Sequence, residues 1–256
     1  MCFDQDSRPP IPAIAGGASD GSRIELVGAE GNRSAGFRAR PTSAGGDGVV
    51  ILPDVRGLHP YYEELALRFA EHGFDALAID WFGRTAGTGR RGETFDHMAH
   101  VATTSWAGIA ADIGSGVAAL RDDGVARIST IGFCMGGRMS FLAGTLQLGL
   151  AGVIGLYGTL TGPWRNDAPE PLALAQAGLL RTPVLGLFGG ADQAITADAV
   201  AAFDAALVAA GVEHRIVTYP RAPHSFFDRK AADFAAESAA AWDEILTFLR
   251  SRATAG

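Results

Sequence analysis

Apolar positions along the chain follow two rhythms. Short apolar runs stand at Gly48–Leu52 (GVVIL), Asp75–Ile79 (DALAI), Arg127–Phe133 (RISTIGF), Gly152–Tyr157 (GVIGLY) and Pro183–Phe188 (PVLGLF). Runs of this kind are expected of strands buried on both faces. His214–Tyr219 adds a more polar strand, and Arg23–Val27 with Ser34–Arg40 reads as an opening hairpin about a turn at Glu30–Asn32. Helical spacing fills the intervals. Tyr61–His72 places Leu65, Ala66 and Phe69 on one face and stops at Gly73. Ser105–Arg121, Thr196–Ala210 and Ala231–Arg250 read as longer helices, another carries on from Arg138, and Leu172–Ala177 is a short one after a loop over 163–171. Loops are expected after Pro53 and over Trp81–Gly92. Strands alternating with helices predict an α/β fold with a mainly parallel central sheet and helices on both faces. Residues 1–20, rich in Pro, Gly and Asp, read as an irregular arm, and 21–256 as a single domain.

Composition narrows the class. A chain of 256 residues suits one large domain and buries enough surface to need no metal or disulfide staple. The formal net charge of −7 argues against nucleic acid or an anionic membrane as partner. It leaves room for a small anionic ligand held by a few local arginines. Cys2 and Cys134 make an improbable disulfide pair, which favours a reduced, cytoplasmic setting. The start, MCFDQDSRPPIP, lacks the basic and apolar regions of a signal peptide, and no apolar run has the length of a membrane span. The expected partner is a small molecule, and the expected state a monomer or small homo-oligomer.

Candidate chemistry collects at the ends of the predicted strands, where open parallel sheets bind ligands. Gly132-Phe133-Cys134-Met135-Gly136 fits G-x-C-x-G, the cysteine form of the nucleophile elbow. A nucleophile on a strand-to-helix turn needs small neighbours two residues away on each side, and Gly132 and Gly136 supply them. The helix amino terminus beyond Cys134 favours a thiolate, and the Met135 N–H is the expected oxyanion donor. Read alone, Cys134 is equally a small buried hydrophobe. Its context adds two partners. Asp192 (in GGAD) follows the strand ending at Phe188, and His224 (in APHSF) follows the strand ending at Tyr219. The order nucleophile, acid, histidine is that of α/β-hydrolases. His224 would accept the Cys134 proton, with Asp192 fixing the imidazole tautomer. Asp198 is a rival carboxylate, and GGAD is also a plain turn sequence. His72 and His214 read as solvated, whereas His59, His97 and His100 lie in or near loops that border the predicted site.

Taken together, the motifs LPDVRG (52–57), IDWFGR (79–84), GFCMGG (132–137), GLYG (155–158), GGAD (189–192) and HSF (224–226) resemble those of the dienelactone hydrolase (carboxymethylenebutenolidase) family. The resemblance implies an α/β-hydrolase fold and hydrolysis of a carboxylate-bearing unsaturated lactone through a cysteine thioester. It also implies a second oxyanion donor at Val55, a carboxylate-gripping arginine at Arg84, and a pocket lined by Tyr157 and Phe226. Two departures stand out. Asp54 occupies the place of a family glutamate that takes the thiol proton, and Asp228 stands where the family has an arginine. Arg56, Arg138 and Arg229 are the other cations available for a substrate carboxylate. Surface charge or a structural pairing, with Asp80 or Glu64, is the alternative for Arg56, Arg84 and Arg138, and the pocket role is favoured for Arg84 alone.

Three other readings stay open: a broader carboxylesterase or thioesterase, a non-catalytic α/β-hydrolase-fold binding protein, and a redox sensor using Cys134 with Cys2. No metal motif or phosphate-binding glycine loop occurs, and no cofactor is expected.

Overall fold

A computed structural model describes residues 7–16, 18–43, 45–92, 94–162 and 173–253. Among them lies an eight-stranded sheet of order β1-β2-β4-β3-β5-β6-β7-β8. The hairpin β1 (Ala18–Val27) and β2 (Arg33–Pro41) is antiparallel, and β2 joins β4 (Asp75–Ile79) antiparallel. From there β3 (Asp47–Leu52), β5 (Arg127–Phe133), β6 (Gly152–Leu156), β7 (Val184–Gly189) and β8 (His214–Tyr219) run parallel.

Side chains of the central strands alternate between two apolar layers, as the pleat requires. Val49 and Ile51 of β3 and Ala76 and Ala78 of β4 join the larger layer, with α1 (Pro60–Glu71) and α8 (Ala235–Ala253). Val50, Leu52, Leu77 and Ile79 face the other layer, with α4 (Trp106–Asp122). The α1 stripe Tyr61, Tyr62, Leu65, Ala66 and Phe69 is fully buried. Each such large side chain contributes on the order of 1.5–3 kcal/mol, so α1 is held by this face rather than by its caps. Among the described residues no helix is long and apolar enough to cross a membrane.

The structure departs from the sequence reading at several edges. β1 starts at Ala18, not Arg23, because pairing with β2 continues to Pro41 across a bulge. The stretch read as a loop over 81–92 contains a helical turn, α2 (Gly83–Ala86), and α3 (His97–Val101) follows, capped by Asp96. α5 (Met135–Ala143) begins three residues before Arg138, directly after Cys134. A short helix α6 (Ala173–Gln176) leads into a 3-10 turn, whereas the expected loop over 163–171 lies outside the described residues, as do residues 1–6 with Cys2. α7 (Ala197–Ala209) is capped by Thr196. α8 begins at Ala235 instead of Ala231.

Candidate active site

Parallel register levels the strand ends. Leu52 pairs with Gly132 and Phe133 with Leu156, so the loops after β3, β5 and β6 meet at one edge. Cys134 sits between β5 and α5 with φ 56° and ψ −113°. That conformation costs on the order of 1–3 kcal/mol for a residue with a Cβ. Its N–H donates to Leu156 O at 3.1 Å, and its carbonyl accepts from Arg138 N–H at 3.2 Å. The elbow glycines are dictated by close approach. A Cβ on Gly132 would fall 1.9 Å from Gly136 O, and one on Gly136 would fall 2.1 and 2.3 Å from Leu52 O and Pro53 O. These obstacles are backbone, so no rotamer relieves them.

The non-glycine residues with positive φ among the described residues are Cys134, Tyr157 and Ser225. All three lie at this edge. Strain concentrated in one place is a mark of a functional site.

His224 and Asp192 meet as expected. His224 Nδ1 lies 2.7 Å from Asp192 Oδ2. The other Asp192 oxygen accepts from Ala194 N–H at 2.8 Å and Ile195 N–H at 3.3 Å, which fixes the carboxylate plane. Burial alone would raise the Asp192 pKa, but the hydrogen bond and charge of His224, with those N–H groups, hold it below its ordinary value. The rival Asp198 lies exposed in the first turn of α7. Cys134 and His224 are joined through β6. Leu156 accepts the Cys134 N–H, and the ring of the next residue, Tyr157, stands 5.0 Å from the His224 ring.

The remaining sequence candidates divide. Met135 opens α5 beside Cys134. Val55 follows β3 in a loop whose Asp54 Oδ1 accepts the Arg56 N–H at 2.8 Å and whose Asp54 N–H donates to Tyr62 Oη at 3.0 Å. Asp54 is fully buried, and its carboxyl helps to shape its own loop. Tyr157 and Phe226 are also fully buried, ring centroids 5.6 Å apart, and Tyr157 packs against the His224 ring. Arg84 is engaged elsewhere, bonding both Asp112 oxygens at 2.7 Å, Gly108 O at 3.1 Å and Glu30 at 3.1 Å. These contacts correct the carboxylate-gripping role expected of Arg84: its guanidinium is spent on α4 and the hairpin turn. Among the other histidines, His59 is buried and its pKa falls to about 4, by burial first and then by the charges of Arg56, His97 and Arg91. His100 stacks on Phe95 at 4.7 Å. His72 and His214 each bond a backbone carbonyl, at 2.8 and 2.6 Å.

Sequence reasoning did not find the partner of Tyr157. The Tyr157 hydroxyl donates to Asp228 Oδ2 at 2.8 Å. Burial pushes the Asp228 pKa up to about 8, against the pull of Tyr157 and the Arg229 N–H. The signal was present as an acid in an unexpected place, but its inward direction depends on the loop. Among the described residues no group of three or more His, Cys, Asp or Glu side chains is arranged to hold a metal ion.

A sequence model of the dienelactone hydrolase family matches residues 35–253. An Escherichia coli K12 protein named "Putative carboxymethylenebutenolidase" is 28% identical over 228 residues, covering 86% of this chain and 83% of its own. A Methylorubrum extorquens protein of the same name is 28% identical over 221 residues, covering 84% of this chain and 75% of its own. Among solved structures, a "Putative Dienelactone Hydrolase" from Klebsiella pneumoniae superposes with a TM-score of 0.78 at 26% identity, over 91% of this chain and 99% of the other.

Proposed function

Because the chain belongs to the dienelactone hydrolase family, we propose that it hydrolyses a small carboxylic ester or lactone through a thioester on Cys134. The observation that carries this reading is the strained Cys134 turn at the amino end of α5, at the strand edge that also carries the bonded His224–Asp192 pair. His224 takes the thiol proton as sulfur attacks the carbonyl carbon, and the carbonyl electron pair moves onto oxygen. The Met135 and Val55 N–H groups receive that oxyanion. Collapse re-forms the carbonyl and breaks the C–O bond, and the leaving oxygen takes the proton from His224. Water then gives a proton to His224 and attacks the thioester carbon. The C–S bond breaks, the sulfur is reprotonated, and the acid departs. Asp192 holds the imidazole in the tautomer that leaves Nε2 free for each transfer.

The engagement of two charged side chains within the protein favours a neutral ester over a carboxylate-bearing lactone. Arg84 is committed to Asp112 and Glu30, and Asp228 is a buried acid. Ultraviolet-monitored hydrolysis of dienelactone and of p-nitrophenyl acetate, by the wild type and Cys134→Ala, tests both parts. The expected result is wild-type turnover of the aryl ester, weak or no turnover of dienelactone, and loss of about 10³-fold or more in the variant. Equal rates for the two proteins would remove Cys134 from the chemistry. Efficient dienelactone turnover would restore the anionic substrate.

A further inference from the structure

Trp81 is fully inside the protein and two residues beyond the loop-facing end of β4, yet its indole N–H is spent on the loop after β3. It donates to Asp54 O at 3.1 Å. Asp54 O belongs to the peptide whose nitrogen is that of Val55, and it accepts a second bond from Gly57 N–H at 3.1 Å. In a trans peptide the carbonyl and the N–H point in opposite directions, and the structure has no cis bonds among the described residues. The strand order decides where that N–H aims. β3 lies between β4 and β5. A carbonyl drawn toward Trp81, on the β4 side, turns the Val55 N–H toward the β5 side, where Cys134 follows the strand. The Val55 N–H donates to no protein acceptor among the described residues. The first turn of α5 is pressed against this same point, since the Cβ position of Gly136 falls 2.1 Å from Leu52 O and 2.3 Å from Pro53 O.

The neighbouring residue secures the far side of the loop. Asp80 Oδ1 accepts the Leu58 N–H at 2.9 Å, while Oδ2 accepts Phe82 N–H at 3.0 Å and Arg91 at 2.6 Å. Arg91 in turn stacks over Phe95 at 4.9 Å. Both ends of 54–58 are therefore tied to the end of β4.

We propose that Trp81 is a positioning residue that locks the Asp54–Val55 peptide so that the Val55 N–H stands ready as an oxyanion donor. The proposal rests on Cys134 being the nucleophile. Trp81 does not touch the substrate; it prevents the peptide from turning its carbonyl toward the developing negative charge.

The test separates attack on a carbonyl from attack on saturated carbon. Alkylation of Cys134 by iodoacetamide needs the sulfur but generates no oxyanion. In Trp81→Phe, and in a variant carrying benzothienylalanine at 81, which keeps the ring shape and replaces the N–H by sulfur, kcat/KM for p-nitrophenyl acetate should fall about ten- to a hundredfold. The alkylation rate constant should stay within about twofold of wild type, the size of effect a factor well under 1 kcal/mol produces. Wild-type turnover in the benzothienylalanine protein overturns the proposal, and so does a parallel loss of turnover and alkylation, which would mean a general packing role. Absence of ester turnover in the wild type itself, with Cys134 still alkylated, would instead overturn the reading of Cys134 and this proposal with it.

Discussion

Asp228 shows how one residue ties stability to pH. It is buried, bonded by the Tyr157 hydroxyl at 2.8 Å and by the Arg229 N–H, and faces Asp54 and His224. Burial is the largest influence and favours the neutral acid, so its pKa climbs from 3.8 to about 8. Between those values the unfolded chain has released a proton that the folded chain retains. The contribution of this group is therefore complete below pH 3.8, falls as pH rises, and is gone above about 8. Asparagine mimics the neutral acid and removes the dependence. In urea unfolding, Asp228→Asn should gain on the wild type as pH rises from 5 to 8.5. The gap reaches a few kcal/mol, at about 1.4 kcal/mol per pKa unit. A constant difference across that range would mean that Asp228 is ionised in the fold. The sequence shows an acid out of place but not its direction. The segment HSFFDRK turns at Ser225, with φ 63°, and the Asp228 carboxyl ends inside, bonded by Tyr157.

Elements carried by periodicity were the most legible. β4, β5 and β8 have the boundaries the apolar runs predict, and the elbow follows from glycines two residues either side of Cys134. The Asp192–His224 bond was legible as chain order, because the two residues follow strands that pair directly. What escaped depends on lateral neighbours. α3 is five residues long and owes its start to Asp96, too little pattern for periodicity to detect. The direction of Arg84 is set by α4, which offers Asp112 across from α2, and by the hairpin turn, which offers Glu30. Asp112 is almost wholly buried; burial raises its pKa to about 6, opposed first by the Arg84 hydrogen bond. Losing one partner of a buried pair costs about 3–5 kcal/mol, and the partial exposure of Arg84 reduces this to roughly 1–3 kcal/mol. Arg84→Met should lose that much stability at pH 8 and less at pH 5, where Asp112 can take up a proton. Thermal denaturation at both values measures it. KM for p-nitrophenyl acetate should not change; a large rise would return Arg84 to the pocket.

At the scale of the whole molecule, the site depends on a sheet whose alternate residues feed two apolar layers, so that strand ends, not strand middles, are left for chemistry. The larger layer extends past the sheet to the segment before β1. Ile11 joins the cluster that contains α1, Arg8 pairs with Glu64, and the Ile14 N–H donates to Glu71 at 2.9 Å. An irregular arm that either drapes over the domain or moves freely was the expectation here; which element it meets was not legible, because Ile11 and Ile14 among prolines carry no periodicity. Physical magnitudes rank the three ties. The Arg8–Glu64 pair is exposed, with 76% of the arginine side chain accessible, and such pairs contribute about 0–1 kcal/mol. Ile11 retains only 8% of its exposure, and burying such a side chain contributes about 1.5–3 kcal/mol. The apolar contact should therefore hold the segment, with the ion pair as a minor addition. Ile11→Ala is expected to lower Tm by about 3–12 °C, taking 2–4 °C per kcal/mol for a chain of this size, while Arg8→Ala shifts it by no more than about 4 °C. Neither substitution should alter ester turnover, because α1 meets the segment on its outer face while Tyr61 and Tyr62 point to the site end of the core, bonding Phe227 O and the Asp54 N–H at 3.0 Å each. A larger effect from Arg8 than from Ile11 would reverse the ranking and make the attachment electrostatic, and raising the salt concentration would then reproduce the loss in the unaltered protein.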